Sequence, residues 1–237
     1  MEDKTDRATE LILWIREELQ SHVDKKYREF HQSLVPGLSS MLGVRVPDMR
    51  EIAKKAAKTD YNGYVKQADL SVYEELMIRG MMIGYAGLNE KEQQEEVRKF
   101  VPFINNWAIC DCCCATYKFM KKQQEKWFAF LQDYIFSQEE YEVRFAVVCM
   151  LDFFINENFL DRILELLPQI SHKGYYVKMA VAWAVSICYI KFPEKTERLF
   201  CENCLEDFTH NKAIQKIRES CRVPKEDKER LNTLKRR

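Results

Sequence analysis

The sequence predicts an all-α protein, an α-solenoid of HEAT-like helical repeats, and three observations carry that prediction. Apolar residues recur at helical spacing along most of the 237 residues, and only seven glycines and six prolines interrupt them. No stretch shows sustained period-two alternation with β-branched enrichment, so no sheet is expected. Trp107, Arg144 and Trp183 fall in comparable apolar helices separated by roughly 40 residues, the period of a HEAT or armadillo unit. A helix pair cannot bury its apolar stripe alone, so successive pairs would stack into a curved array. The same pattern also fits a compact helical bundle.

The elements follow in order. Leu11, Ile12, Ile15 and Leu19 define a first helix over about 5–21. A short second helix over 24–34 carries Tyr27, Phe30 and Leu34 on one side and stops at Val35-Pro36-Gly37. Pro47 sits well in the first turn of a helix reaching about Lys58. Further helices are predicted over 72–85, 90–103, 107–120, 125–135, 139–155, 158–167, 175–190, 193–204 and 211–222. The expected organisation is a single domain over 1–237: N-terminal helices over 1–45, helical repeats over 46–222, and a charged tail over 223–237 that frays or caps the array.

Composition bounds the function. Hydrophobic residues at 46% and charged residues at 31% are ordinary globular values. The polar start and the lack of any apolar run of membrane-spanning length predict a cytoplasmic protein without membrane association. Nine cysteines without a secretion signal read as reduced, mostly buried thiols. The 37 basic and 37 acidic side chains exclude a uniformly basic nucleic-acid coat but permit charge segregated by face.

Three places could carry chemistry. Trp107 and Asp111 lie four residues apart, which on a helix puts indole and carboxylate on one face, with Asn105 or Asn106 as N-cap. The alternative packs Trp107 in the core and leaves Asp111 in solvent. Arg144 is set in an otherwise apolar helix, where it reaches the surface or pairs with a carboxylate. Trp183 lies among small apolar residues, where core burial is the default.

Four motifs in register resemble the AlkD family of DNA alkylation repair glycosylases: GVRVPDMREIAKK, the NWxxxD of 106–111, VRFAVV, and YYVKMAVAWAVS. The likeness runs from about Asp24 to Arg222. It implies a right-handed solenoid with a positively charged concave face. It also implies a monofunctional DNA glycosylase that removes cationic N3- or N7-alkylated purines from duplex DNA without base flipping. By that match Asp111 is the catalytic carboxylate, Trp107 and Trp183 are aromatic walls around the deoxyribose, and Arg144 is their basic partner. Arg45, Lys118, Lys178, Lys212 and Lys216 are the implied phosphate contacts. The implied partner is double-stranded DNA with alkylated purines, met by a monomer without cofactor, nucleotide or metal.

The chemistry suits those residue types. Ordinary glycosidases need two carboxylates, one of them to protonate the leaving group. A ring-alkylated purine is already cationic and leaves neutral, so one carboxylate suffices to stabilise the oxocarbenium-like sugar and position water. Two features depart from the pattern: Asn106 where many catalytic members have an aromatic residue, and the break at Pro36-Gly37. They set a second reading beside the first, a non-catalytic helical-repeat protein that binds damaged or branched DNA. A protein-binding scaffold, the common use of helical solenoids, is a third.

Other motifs are set aside. Cys110, Cys113 and Cys114 fall at helical spacing that suits small buried side chains better than zinc, which wants four ligands. Cys201 and Cys204 lack a thioredoxin-like context. No phosphate-binding glycine loop is present. His31 and His172 read as surface or capping residues, and Glu74 and Glu75 as flanks of a core-facing helix.

Overall fold

A computed structural model describes residues 2–35, 37–38 and 40–237, with side chains from residue 7 onward. Pro36, expected to end the second helix, lies outside the described residues. Among the described residues there are fourteen α-helices, three short 3-10 turns and no strand. They form two compact units, Met1–Phe119 and Met120–Arg237.

The first unit holds α1 (Glu2–Ser21), α2 (Lys25–Leu34), α3 (Val46–Thr59), α4 (Tyr61–Gln67), α5 (Tyr73–Ile83), α6 (Glu90–Phe100) and α7 (Trp107–Cys114). Leu11, Ile12, Ile15 and Leu19 of α1 are buried, and α1 packs on α3 and α4. Helices α3, α5 and α7 pack in series, each against the next but one in the chain. The Asp24 carboxylate caps α2 by accepting the Tyr27 N–H at 3.0 Å. Pro47 occupies the first turn of α3, as its fixed φ suits. Asn89 and Glu92 close a reciprocal capping box on α6.

Helix α5 is buried along its whole length, Glu74, Glu75 and Arg79 included. This corrects the expectation that Glu74 and Glu75 merely flank a core-facing helix. A buried carboxylate needs donors. Glu74 accepts backbone N–H groups from Leu42, Gly43 and Val44, at 3.0, 2.8 and 3.3 Å. Glu75 accepts from Arg16 Nε at 2.8 Å and from the Asp69 N–H at 2.7 Å.

Two further differences from the sequence reading have local causes. Helix α4 is not among the predicted elements, because YNGYVKQ is short and carries a glycine. It forms because the Asp60 side chain accepts the Gly63 N–H at 2.9 Å, and a Cβ at Gly63 would collide with that carboxylate and with Ala8. The helix expected to run from 107 to 120 stops at Cys114. There the Tyr117 hydroxyl donates to the Gly80 carbonyl at 3.2 Å and Thr116 Oγ1 to Cys113 O at 2.7 Å, bonds that turn the chain onto α5.

The second unit holds α8 (Gln124–Ile135), α9 (Glu140–Phe153), α10 (Leu160–Leu166), α11 (Tyr175–Lys191), α12 (Pro193–Cys201), α13 (Asp207–Glu219) and α14 (Lys225–Thr233). Helix α9 lies between α8 and α11, and α11 packs on α9, α12 and α13, so α9, α11 and α13 also form a series. Helices α9 and α11 are apolar nearly all round and are buried accordingly. Trp127, Phe145, Phe154 and Tyr189 are among the largest fully buried side chains. Burial of each contributes on the order of 1.5–3 kcal/mol. Of the two outcomes expected for the tail, fraying or a terminal helix, the structure has the helix: α14, anchored by Leu231, which is fully buried.

Candidate nucleic-acid interface

The residues singled out in the sequence fall on the two helix series or close to their ends. Trp107 and Asp111 are on α7, Arg144 on α9, Trp183 and Lys178 on α11, and Lys212 and Lys216 on α13. Arg45 is the residue before α3, and Lys118 opens the 3-10 turn after α7.

Helix α7 starts where Asn106, itself buried, accepts the Ile109 N–H on its side-chain oxygen at 2.9 Å. The turn that follows puts Trp107 and Asp111 on one face, and both are half-buried. Cys110, Cys113 and Cys114 of the same helix are fully buried. The Trp107 indole N–H donates to the Leu34 carbonyl at the end of α2, at 3.1 Å. Its ring lies 6.2 Å from that of His31.

His31 is buried, which corrects the surface or capping role expected for it. Its Nε2 is hydrogen-bonded with the Tyr73 hydroxyl at 3.0 Å, and burial lowers its pKa. The indole is thus held by α2 through the Leu34 carbonyl, and its ring neighbour is tied to α5. His172 is half-buried, and its Nδ1 accepts the Gly174 N–H at 2.9 Å.

The charges around Asp111 include one that the sequence reading missed. Cys112 is pushed up to about 11, by burial first and then by the Asp111 carboxylate, while the Arg50 guanidinium opposes the shift. Arg50, on α3, therefore sits within electrostatic reach of the same turn of α7. Nothing in the sequence ties Arg50 to residue 111, because the approach comes from α3, α5 and α7 packing in series.

Arg45 is exposed and makes an ion pair with Asp24 at 2.8 Å, its guanidinium lying 4.8 Å from the Tyr27 ring centroid. The Tyr27 N–H and then Arg45 hold the Asp24 carboxyl below its ordinary range. Lys118 is exposed.

In the second unit Arg144 is buried, and its guanidinium donates to the Tyr176 carbonyl at 2.8 Å. One turn earlier on α9, Glu140 accepts the Tyr176 N–H at 2.6 Å. The pair therefore clasps both polar groups of one residue in the first turn of α11. The carboxylate also satisfies a helix N-terminus, where negative charge is favoured. The i, i+4 spacing of Glu140 and Arg144 is visible in the sequence; their shared target is not. Trp183, further along α11, is half-buried, not buried in the core as its apolar surroundings suggested.

Lys178 and Lys212 approach one aromatic ring. The ammonium of each lies 5.8 Å from the Phe208 ring centroid, and Tyr175, 54% exposed, packs edge-on against the same ring. Lys178 also pairs with Glu206 at 3.1 Å, and Glu206 caps α13 by accepting the Thr209 N–H. Lys216 is half-buried on the same helix. Among the described residues, no group of three or more His, Cys, Asp or Glu side chains is placed to hold a metal ion. Among the same residues, no helix is long and apolar enough to cross a membrane.

A family model described as DNA alkylation repair enzyme matches residues 15–217. No curated protein and no solved structure matches the chain. The match covers both units and agrees with the resemblance to the AlkD family carried by the four sequence motifs. The chain belongs to the DNA alkylation repair enzyme family.

Proposed function

We propose that this protein hydrolyses the N-glycosidic bond of cationic N3- or N7-alkylated purines in duplex DNA, without flipping the base. The observation that carries the reading is α7: Asp111 sits one turn after Trp107, both half-exposed on one face. Asp111 stabilises the oxocarbenium-like deoxyribose and positions the water that attacks it. The glycosidic pair of electrons leaves with the base, which departs neutral, and the water proton is lost to solvent. Trp107 borders the sugar with its π-face, an interaction worth on the order of 1 kcal/mol with a developing cation.

On this reading Trp183 offers DNA a second aromatic surface, and Arg144 sets the start of the helix that carries it. Arg45, Lys118, Lys178, Lys212 and Lys216 contact phosphates, so binding falls with salt. The serial packing of α3, α5 and α7, and of α9, α11 and α13, is the pattern that HEAT-like repetition would produce. The protein acts as a cytoplasmic monomer without cofactor.

A second reading, binding of damaged or branched DNA without excision, is favoured by Asn106. Its side chain is buried and used as a cap, so the position before Trp107 offers DNA no aromatic surface. Incubation with methylated duplex DNA separates the two. Excision predicts base release above the spontaneous rate, reduced by about a hundred-fold or more in Asp111→Asn, on the scale of removing one charge-stabilising group. Salt-sensitive binding without release supports the second reading, and unchanged release in Asp111→Asn overturns the role of the carboxylate.

A further inference from the structure

The segment after α14 is tied to α13 by side chains whose place in the sequence gives no hint of it. Asn211 exchanges two hydrogen bonds with the backbone of Arg236, donating from Nδ2 to its carbonyl at 3.0 Å and accepting its N–H on Oδ1 at 2.9 Å. One residue earlier, the His210 Nε2–H donates to the Leu234 carbonyl at 2.8 Å. The Arg236 guanidinium turns inward, donating to the Leu205 carbonyl at 2.6 Å and to the Asp207 carboxylate at 2.9 Å. Four residues from two turns of α13 and the loop before it thus fix this short stretch. With Arg236 turned inward, its neighbours Lys235 and Arg237 are exposed.

We propose that residues 234–237 are a built extension of the DNA-contacting surface of α13, with Lys235 and Arg237 as phosphate-contacting side chains. The inference rests on the duplex-DNA reading above and adds contacts that reading does not contain. Three observations converge on it. The anchor uses Asn211, whose neighbour Lys212 is about 100° further round the helix, so the segment and Lys212 border the same exposed arc of α13. The two carboxylates at the start of α13 are already engaged, Glu206 by Lys178 and Asp207 by Arg236. Positive charge on Lys212, Lys235 and Arg237 is therefore left in excess, which is the footprint of a polyanion site. Lastly, five anchoring bonds on an otherwise charged stretch hold two cations in place before any ligand arrives, which reduces the ordering cost of binding.

The test is the salt dependence of binding, read by fluorescence anisotropy with a labelled undamaged duplex and the full chain. The double variant Lys235→Ala/Arg237→Ala is expected to bind more weakly. Its log–log salt slope should be shallower than the parent's by about 1–2, at about 0.9 for each phosphate left without its cation. Asn211→Ala keeps both cations but unties them, and it is expected to weaken binding and flatten the slope as well. A purely structural tie would instead lower the unfolding midpoint of Asn211→Ala and leave the slope unchanged, which overturns the positioning role. If the parent binds and the double variant matches it in slope and affinity, this proposal falls and the duplex-DNA reading stands. If the parent binds no duplex at low salt, both fall.

Discussion

At the scale of single residues, the carboxylates show how little a side chain's class reveals about its task. Asp111 is half-exposed on α7, whereas Glu74 is fully buried on α5. Asp111 is legible in the sequence because Trp107, one turn away, marks the face. Glu74 is not, because its three donors lie about 30 residues upstream at Leu42, Gly43 and Val44. Glu74 holds the stretch that leads into Arg45 and α3. Replacing it by glutamine turns an amide donor toward backbone donors and leaves N–H groups unpaired. Glu74→Gln is expected to destabilise the protein by roughly 2–3 kcal/mol, read as a lower urea midpoint at unchanged slope.

Among the elements, the decisive arrangement is the packing of α9 on α11. Glu140 and Arg144 clasp the first turn of α11, and a Cβ at Gly174 would collide with the Glu140 carboxylate. Gly174→Ala is therefore expected to cost roughly 1–3 kcal/mol by overpacking, measured by thermal unfolding. In the background of Glu140→Ala most of that cost should vanish, because the colliding group is gone; additive costs would argue against the clasp. The existence and order of most helices can be read from apolar spacing. Their ends cannot, as α7 shows, because the bonds of Thr116 and Tyr117 to the chain around them are absent from any local pattern.

For the whole molecule, stability should respond to pH through two histidines, one in each unit. Burial holds His31 below its ordinary pKa of 6.5. Burial likewise lowers His210, outweighing the opposing hydrogen bond to the Leu234 carbonyl. Both are neutral in the folded state where the unfolded chain already binds protons. Their contribution is thus fully present above about pH 6.5 and is lost as pH falls from there toward the lowered folded values. The unfolding midpoint is expected to drop between pH 7.5 and 5.5. The drop should be smaller in His31→Gln, and an equal drop in that variant would assign the effect to other groups.

The sequence by itself determined the helical class, the order of the helices other than α4, the place of Pro47 in the first turn of α3, an asparagine cap at 105 or 106, and the shared face of Trp107 and Asp111. All of these depend on interactions within a few residues, whose geometry the helical repeat fixes. It also carried the family, because four motifs in register survive as strings. The tertiary structure alone decided which groups meet across long stretches of chain. It brought Leu34 to the indole of Trp107, Tyr176 to Arg144, Lys178 and Lys212 to Phe208, and residues 234–237 to α13. Those meetings arise from packing whole helices against one another, and no local spacing encodes the register in which two helix surfaces dock.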